Sequence, residues 1–327
     1  MSYKTTDGLM RHLRNNGIAI KGSIQKRQLM NVGYFHGYKG YRFFYTPNRR
    51  LPFNSFDEVY ATVMFDSKLK ALFYGKIMFI ETAVKYYALE CILRIDHSES
   101  IQDMYDKAVC GYHNAPPNAT IKEKKKYQTA KLNLQNKIQT YLSKAYREGN
   151  PRITHFYDNM GYSGVPIWAL FEIMMLGDFA NLLSCLTIDA RDALSKQLGM
   201  HNIAIDTNRE LIYEYLYTLK DLRNAIAHNS AIFDTRFRRS DPSKAMRLNL
   251  QHEIRLPYVN FKSITDYLIL ICYYLKNLKV SKKEIKAFIK EYEKIIDEYK
   301  NAVSPAVVAM VIPPDTNSRI TKLKNYI

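Results

Sequence analysis

Apolar residues recur along most of the chain at steps of three and four, the period of a helix with one buried face. The clearest run carries Val59, Val63, Leu69, Leu72, Phe73, Ile77, Ile80 and Val84. Ser55-Phe56-Asp57-Glu58 stands just before it and reads as a capping box, with Ser55 covering an orphan amide and Glu58 reaching back. Together they predict a long amphipathic helix to about Arg94, with Gly75 as the place for a kink. Thr120 and Glu123 predict a second capping box and a basic helix to about Arg147. Pro166 suits the first turn of a helix through Leu176. Asp206 is placed to cap a helix carrying Leu211, Ile212, Tyr215, Leu216, Leu219, Leu222 and Ile226. Ser281 and Glu284 predict a third capping box, opening a helix to about Asn301.

Two stretches break the pattern. Residues 231–258 hold Arg236, Arg238, Arg239, Lys244, Arg247 and Arg255 among few periodic apolar positions, and predict a basic loop or short hairpin. Residues 302–327 hold Pro305, Pro313 and Pro314 and end in Arg319, Lys322 and Lys324, and predict a tail that packs only in part. Strand signals are confined to Tyr41–Tyr45. The expected organisation is therefore a basic, aromatic segment 1–54, a helical domain 55–301 and a C-terminal tail 302–327.

Composition narrows what such a chain can do. Of 327 residues, 47% are hydrophobic, which excludes wholesale disorder. Lys and Arg number 48 against 31 Asp and Glu, a formal charge of +17 that calls for a polyanionic partner, nucleic acid before membrane. The surplus is concentrated: residues 1–50 hold ten Lys or Arg and one acid. The cysteines at 91, 110, 185 and 272 form no C-x-x-C pair, which fits small core residues in a reducing compartment rather than a zinc ribbon. The longest apolar runs, Tyr267–Leu275 and Ala306–Ile312, fall short of the roughly 20 residues that span a bilayer. No apolar stretch follows Met1, so a secretory signal is not expected. A cytoplasmic protein without a membrane partner is the expectation.

The strongest local signal is Leu222-Arg223-Asn224-Ala225-Ile226-Ala227-His228-Asn229, late on the helix that Asp206 opens. Asn224 and His228 are four apart and share a helix face, and the long Arg223 stem can swing toward it. Leu219, Leu222 and Ile226 would hold the opposite face in the core. Imidazole titrates near neutrality and can move a proton. Guanidinium keeps its charge and matches phosphate geometry. These are the requirements for attack by a ribose 2′-hydroxyl on its neighbouring phosphate, a reaction that needs no metal or cofactor. The spacing alone also accommodates an ion pair of Arg223 with Asp221 and a merely polar His228 at a helix end. A second Arg, four residues, His pattern at Arg247 and His252 falls in the predicted loop and has no helical frame.

Further segments carry a resemblance. They are His12-Leu13, Val32-Gly33-Tyr34, Gly37-Tyr38, Val59-Tyr60, Phe65-Asp66-Ser67-Lys68-Leu69-Lys70, Ile80-Glu81, His155-Phe156-Tyr157, Pro166-Ile167-Trp168-Ala169-Leu170-Phe171-Glu172-Ile173, Leu176-Gly177-Asp178 and the Arg223 to Asn229 stretch. With them the chain resembles the Abi-like (AbiD/AbiF) abortive-infection family of bacterial phage-defence proteins. Arg-Asn-x-x-x-His resembles the HEPN ribonuclease motif. The resemblance implies an all-α helical bundle of HEPN type with an N-terminal basic helical extension. It implies Arg223 and His228 as catalytic residues with Asn224 beside them, a homodimer through the motif face, and association with a small structured non-coding RNA. The family often has Arg where Lys68 and Lys70 stand, which keeps the charge here but loses the bidentate fork.

The RNA contacts expected from charge are Lys39, Arg42, Arg49 and Arg50, interleaved with Tyr34, Phe35, Tyr38, Tyr41, Phe43, Phe44 and Tyr45, then Lys122, Lys124, Lys125 and Lys126, then Arg236, Arg238 and Arg239. Some of those aromatics must be core. Trp168 is expected to fill the core, and Glu172 either pairs a cation or orients Arg223 or His228. The function that follows is a metal-independent endoribonuclease of a phage-defence or toxin–antitoxin-like system; the alternative is a non-catalytic RNA-binding module with the same basic surface.

Overall fold

The computed structural model describes residues 5–159 and 164–327. Among them lie fifteen α-helices and two short π-helical segments, Gly33–Lys39 and Met104–Ala108, and no strand. The fold is all-α. Tyr41–Tyr45 forms no strand; only an isolated antiparallel bridge pairs Phe43 with Arg50. No helix of the described residues is long and apolar enough to cross a membrane.

The chain divides into two compact units. The first takes residues 1–78, 221–242 and 250–327, and the second residues 79–220 and 243–249. The helix Phe56–Asp96 runs without a break through Gly75 and gives its first part to the first unit and the remainder to the second.

In the first unit the helix Ile264–Asn277 is buried on every side from Ile264 to Leu275, which explains why its apolar residues show no polar face. The amphipathic helix Lys282–Ala302 and the helix Thr316–Tyr326 pack against it and against each other. Phe65 stacks on Tyr299 at 4.2 Å between ring centroids, and Phe73 lies beside Tyr292. Thr6–Asn15 and Gly22–Val32 pack on each other and bury Met10, Leu13 and Leu29.

The expected C-terminal tail is instead folded. Pro305 occupies the first turn of its helix, where its missing N–H is not needed. Arg319, part of that expected tail, is 1% exposed and pairs with the fully buried Asp266. Its guanidinium also lies over the Tyr258 ring. Residues 231–258 depart from expectation too, because Lys244–Ile254 is a helix. Met246, Leu250 and Ile254 recur at four-residue steps and are buried, with mostly polar residues between them. Arg247 and His252 therefore do have a helical frame, and both are exposed.

The second unit is built on Ile121–Arg147, Pro151–Asp158, Ile167–Ile173, Leu176–Cys185 and Ile188–Gln197. Thr120 and Glu123 close the expected capping box. The helix after Pro166 ends at Ile173 rather than Leu176. There the Lys85 ammonium takes the Met174 carbonyl at 2.6 Å, and a new helix starts at Leu176. Ser281 caps its helix in the first unit, but Glu284 does not reach back; its carboxylate goes to Lys76 at 2.6 Å.

Candidate active site

Asp206 does cap the motif helix, from a distance of a turn: its carboxylate accepts the N–H groups of Glu210 and Leu211, and the helix runs Leu211–Ala227. Leu211, Ile212, Tyr215, Leu216, Leu219 and Leu222 are buried along one stripe. In the last turn Ala225 is the buried residue, and Ile226 is only half-buried.

The end of this helix is a Schellman turn. Asn229 N–H donates to the Ile226 carbonyl and Ser230 N–H to the Ala225 carbonyl at 2.8 Å. Asn229 takes the left-handed conformation, φ 51°, that this turn demands. Asparagine is among the few side chains that adopt it readily. His228 thus sits at the helix C-cap, exposed. Asn224 lies one turn earlier on its face and accepts a hydrogen bond from the Arg223 guanidinium at 3.2 Å. Arg223 and Asn224 are half-buried.

A staple anchored on buried Asp66 and Lys70 holds this end in place. Asn229 accepts from the Lys70 ammonium at 2.9 Å and its amide lies 3.3 Å from the His36 ring. Lys70 pairs with Asp66 one turn back, at 2.8 Å. Asp66 is fully buried and accepts four donors: Lys70, the Tyr41 hydroxyl, and the backbone N–H groups of Ile232 and Phe233, the last three at 2.7 Å. Burial, with Asp66 beside it, pushes the Tyr41 phenol far above its ordinary value, so it remains a donor. The chain after His228 is therefore tied through one carboxylate to the helix Phe56–Asp96. Asp66, Lys70, Asn229 and His36 had no assigned role in the sequence. The only local signal is an Asp and a Lys four apart on one face of a predicted helix.

The expected RNA contacts separate into two kinds. Arg236 is spent on the protein itself: it pairs with Asp234, donates to the carbonyls of Gly40 and Phe43, and lies 4.1 Å over the Phe43 ring. Arg238 is likewise committed to the Asn260 carbonyl, the Tyr45 hydroxyl and Asp241. These two arginines clasp residues 40–45 rather than present a fork to solvent. Arg239, Arg49 and Arg50 are exposed. Lys39, Arg42 and Arg49 lie over the rings of Tyr34, Tyr38 and Phe44. Tyr38 and Tyr41 are core, whereas Phe35 is 80% exposed. Lys68 pairs with Glu298.

In the second unit Lys122, Lys125 and Lys126 are exposed on the first turns of Ile121–Arg147, and Lys124 is half-buried. Glu172 pairs a cation, Arg152 at 3.6 Å, and lies 3.5 Å from the Tyr86 hydroxyl. Trp168, expected in the core, is 41% exposed. Among the described residues no group of three or more His, Cys, Asp or Glu is arranged to hold a metal ion.

No curated protein and no solved structure matches the chain. The profile of a family described as Abi-like protein matches residues 27–234, more than half of the chain. That stretch holds the motif helix, its Schellman turn and the Asp66 staple, and the chain belongs to the Abi-like protein family.

Proposed function

We propose that the protein is a HEPN-type endoribonuclease of a bacterial abortive-infection system, cleaving RNA by attack of a ribose 2′-hydroxyl on the adjacent phosphate. The observation that carries this reading is the end of the motif helix. An exposed imidazole, an amide on the same face and a guanidinium bonded to that amide meet there on a backbone stapled at Asn229. His228 moves the proton, from the 2′-hydroxyl or to the leaving 5′-oxygen. Arg223 holds the scissile phosphate and stabilises the charge that develops on it. Asn224 sets the Arg223 fork through their hydrogen bond. Two motifs facing each other in a homodimer would supply both proton positions. Exposed Arg49, Arg50 and Arg239 hold the strand electrostatically, and Phe35 offers a face to an unpaired base.

The test is incubation of the purified protein with end-labelled RNA in EDTA. Products ending in a 2′,3′-cyclic phosphate are expected from the wild type and none from Arg223→Ala or His228→Ala. Cleavage that survives in His228→Ala refutes the assignment. Intact RNA retained by every variant assigns the protein to the non-catalytic binding class instead.

A further inference from the structure

Three helices of the second unit converge on a cavity of about 400 Å³, within the range of small-molecule sites. Leu89, Phe156 and Phe171 line it with apolar surface. Tyr86, Trp168, Arg152 and Glu172 also line it. Trp168 is fixed at two places: its indole N–H donates to Glu99 at 3.0 Å, and its ring packs edge-to-face on Phe156 at 5.4 Å. A large aromatic side chain so anchored and still 41% exposed offers a preorganised flat surface. Tyr86, 58% exposed, stands at the same cavity.

We propose that this pocket binds an unpaired guanine base. The aromatic surface takes any base by stacking, so the discrimination falls to Glu172. A carboxylate only accepts hydrogen bonds. Guanine is the base whose Watson–Crick edge carries two adjacent donors, N1–H and N2–H, matched to the two oxygens of one carboxylate. Adenine and cytosine place an acceptor next to their amino group, and uracil flanks its single N–H with carbonyls. Glu172 is available for this role because its contacts are long, 3.6 Å to Arg152 and 3.5 Å to Tyr86, and neither uses up its lone pairs in a short bond. Arg152, with 63% of its side chain exposed, is beside it to meet the phosphate. A second cavity of about 630 Å³ shares His155, Phe156 and Trp168 with the first and gives a neighbouring nucleotide a place on the strand. The proposal rests on the RNA reading only for the source of the base, a strand or a free nucleotide.

Trp168 is the one tryptophan of the chain, so its fluorescence reports this pocket directly. The His228→Ala protein, used so that no strand is consumed, is titrated with the four nucleoside monophosphates. Unpaired RNA oligomers holding a single G or a single A are titrated alongside. Quenching by guanine ligands is expected at concentrations at least tenfold lower than for the other bases. Glu172→Gln is expected to erase that preference while retaining weak quenching by all four. A response to GMP equal to that of the G oligomer assigns the pocket to free nucleotide; a response to the oligomer alone assigns it to the strand. Equal quenching by all bases, no quenching, or an unchanged preference in Glu172→Gln overturns the proposal. Guanine-selective quenching in a protein whose wild type cleaves nothing leaves the pocket standing and removes only the nuclease reading.

Discussion

Replacing Asp66 tests whether the site is held by one buried carboxylate. In Asp66→Ala the N–H groups of Ile232 and Phe233, both buried, lose their acceptor, as do the Tyr41 hydroxyl and the Lys70 ammonium. A buried donor left without a partner costs about 1–3 kcal/mol, and breaking a buried ion pair by removing one member costs about 3–5 kcal/mol. These losses share one carboxylate and do not add in full, so about 4–5 kcal/mol is expected, a large part of the roughly 5–15 kcal/mol that stabilises a domain. Asp66→Asn keeps one acceptor oxygen for the two backbone groups but turns an amide toward Tyr41 and Lys70, and is expected to lose about 2–3 kcal/mol. Tyr41→Phe removes one hydrogen bond and is expected to lose about 1 kcal/mol. Guanidinium unfolding followed by circular dichroism gives the three values. RNA cleavage under conditions where Asp66→Asn stays folded should fall, because the turn after His228 is no longer stapled. A loss below about 1 kcal/mol in Asp66→Ala, or the order Tyr41→Phe above Asp66→Asn, would refute the argument.

Arg319→Met strands the buried Asp266 charge, and a loss of about 3–5 kcal/mol is expected; Arg319→Met with Asp266→Asn, which removes the charge and keeps an acceptor for the Phe261 N–H, should recover much of it in the same unfolding assay. Arg49→Ala with Arg50→Ala should weaken RNA binding and lower the salt slope by roughly 2 with little change in melting temperature. Arg236→Ala should do the reverse, destabilising the fold through the lost clasp on Gly40 and Phe43. Asp96 is 1% exposed, and neither of its carboxylate oxygens finds a hydrogen-bond donor among the described residues. Burial raises its pKa to about 6, against the opposing pull of Lys107. The folded state then holds the proton more tightly than the unfolded one, so the contribution of Asp96 to stability is fully present below about pH 4 and is lost as pH rises through 6. Asp96→Asn is expected to gain about 1–3 kcal/mol over wild type at pH 7.5 and almost nothing at pH 4, measured by urea unfolding. A gain independent of pH would contradict the cause given.

The parts of the fold that a sequence shows are those set within a few residues. Thr120 and Glu123 form a reciprocal cap because both partners lie in one turn. Ser281 and Glu284 carry the same spacing, yet Glu284 takes Lys76, some 208 positions away, and no local rule contains that choice. The helix Lys244–Ile254 escaped because its buried stripe is only Met246, Leu250 and Ile254, and Asn249 is buried as well, bonded to the Tyr215 hydroxyl. The burial of Arg319 was not legible because its partner Asp266 lies 53 positions away and meets it only in the folded chain. The site divides the same way. Arg223, Asn224 and His228 stand on one helix end and were legible together. The staple joins residue 66 to 232 and 70 to 229, and Arg236 reaches back to 40 and 43, so neither was.

The first unit is assembled from segments far apart in the sequence, with Asp66 and Lys70 contributed early and Ile264–Asn277 and Thr316–Tyr326 contributed late. At synthesis rates of about 5–20 residues per second, the opening segment waits roughly ten to thirty seconds for the partners that begin at residue 250. The Asp66 staple beneath His228 needs nothing beyond residue 233, whereas the helices that enclose the core of the same unit are made only later.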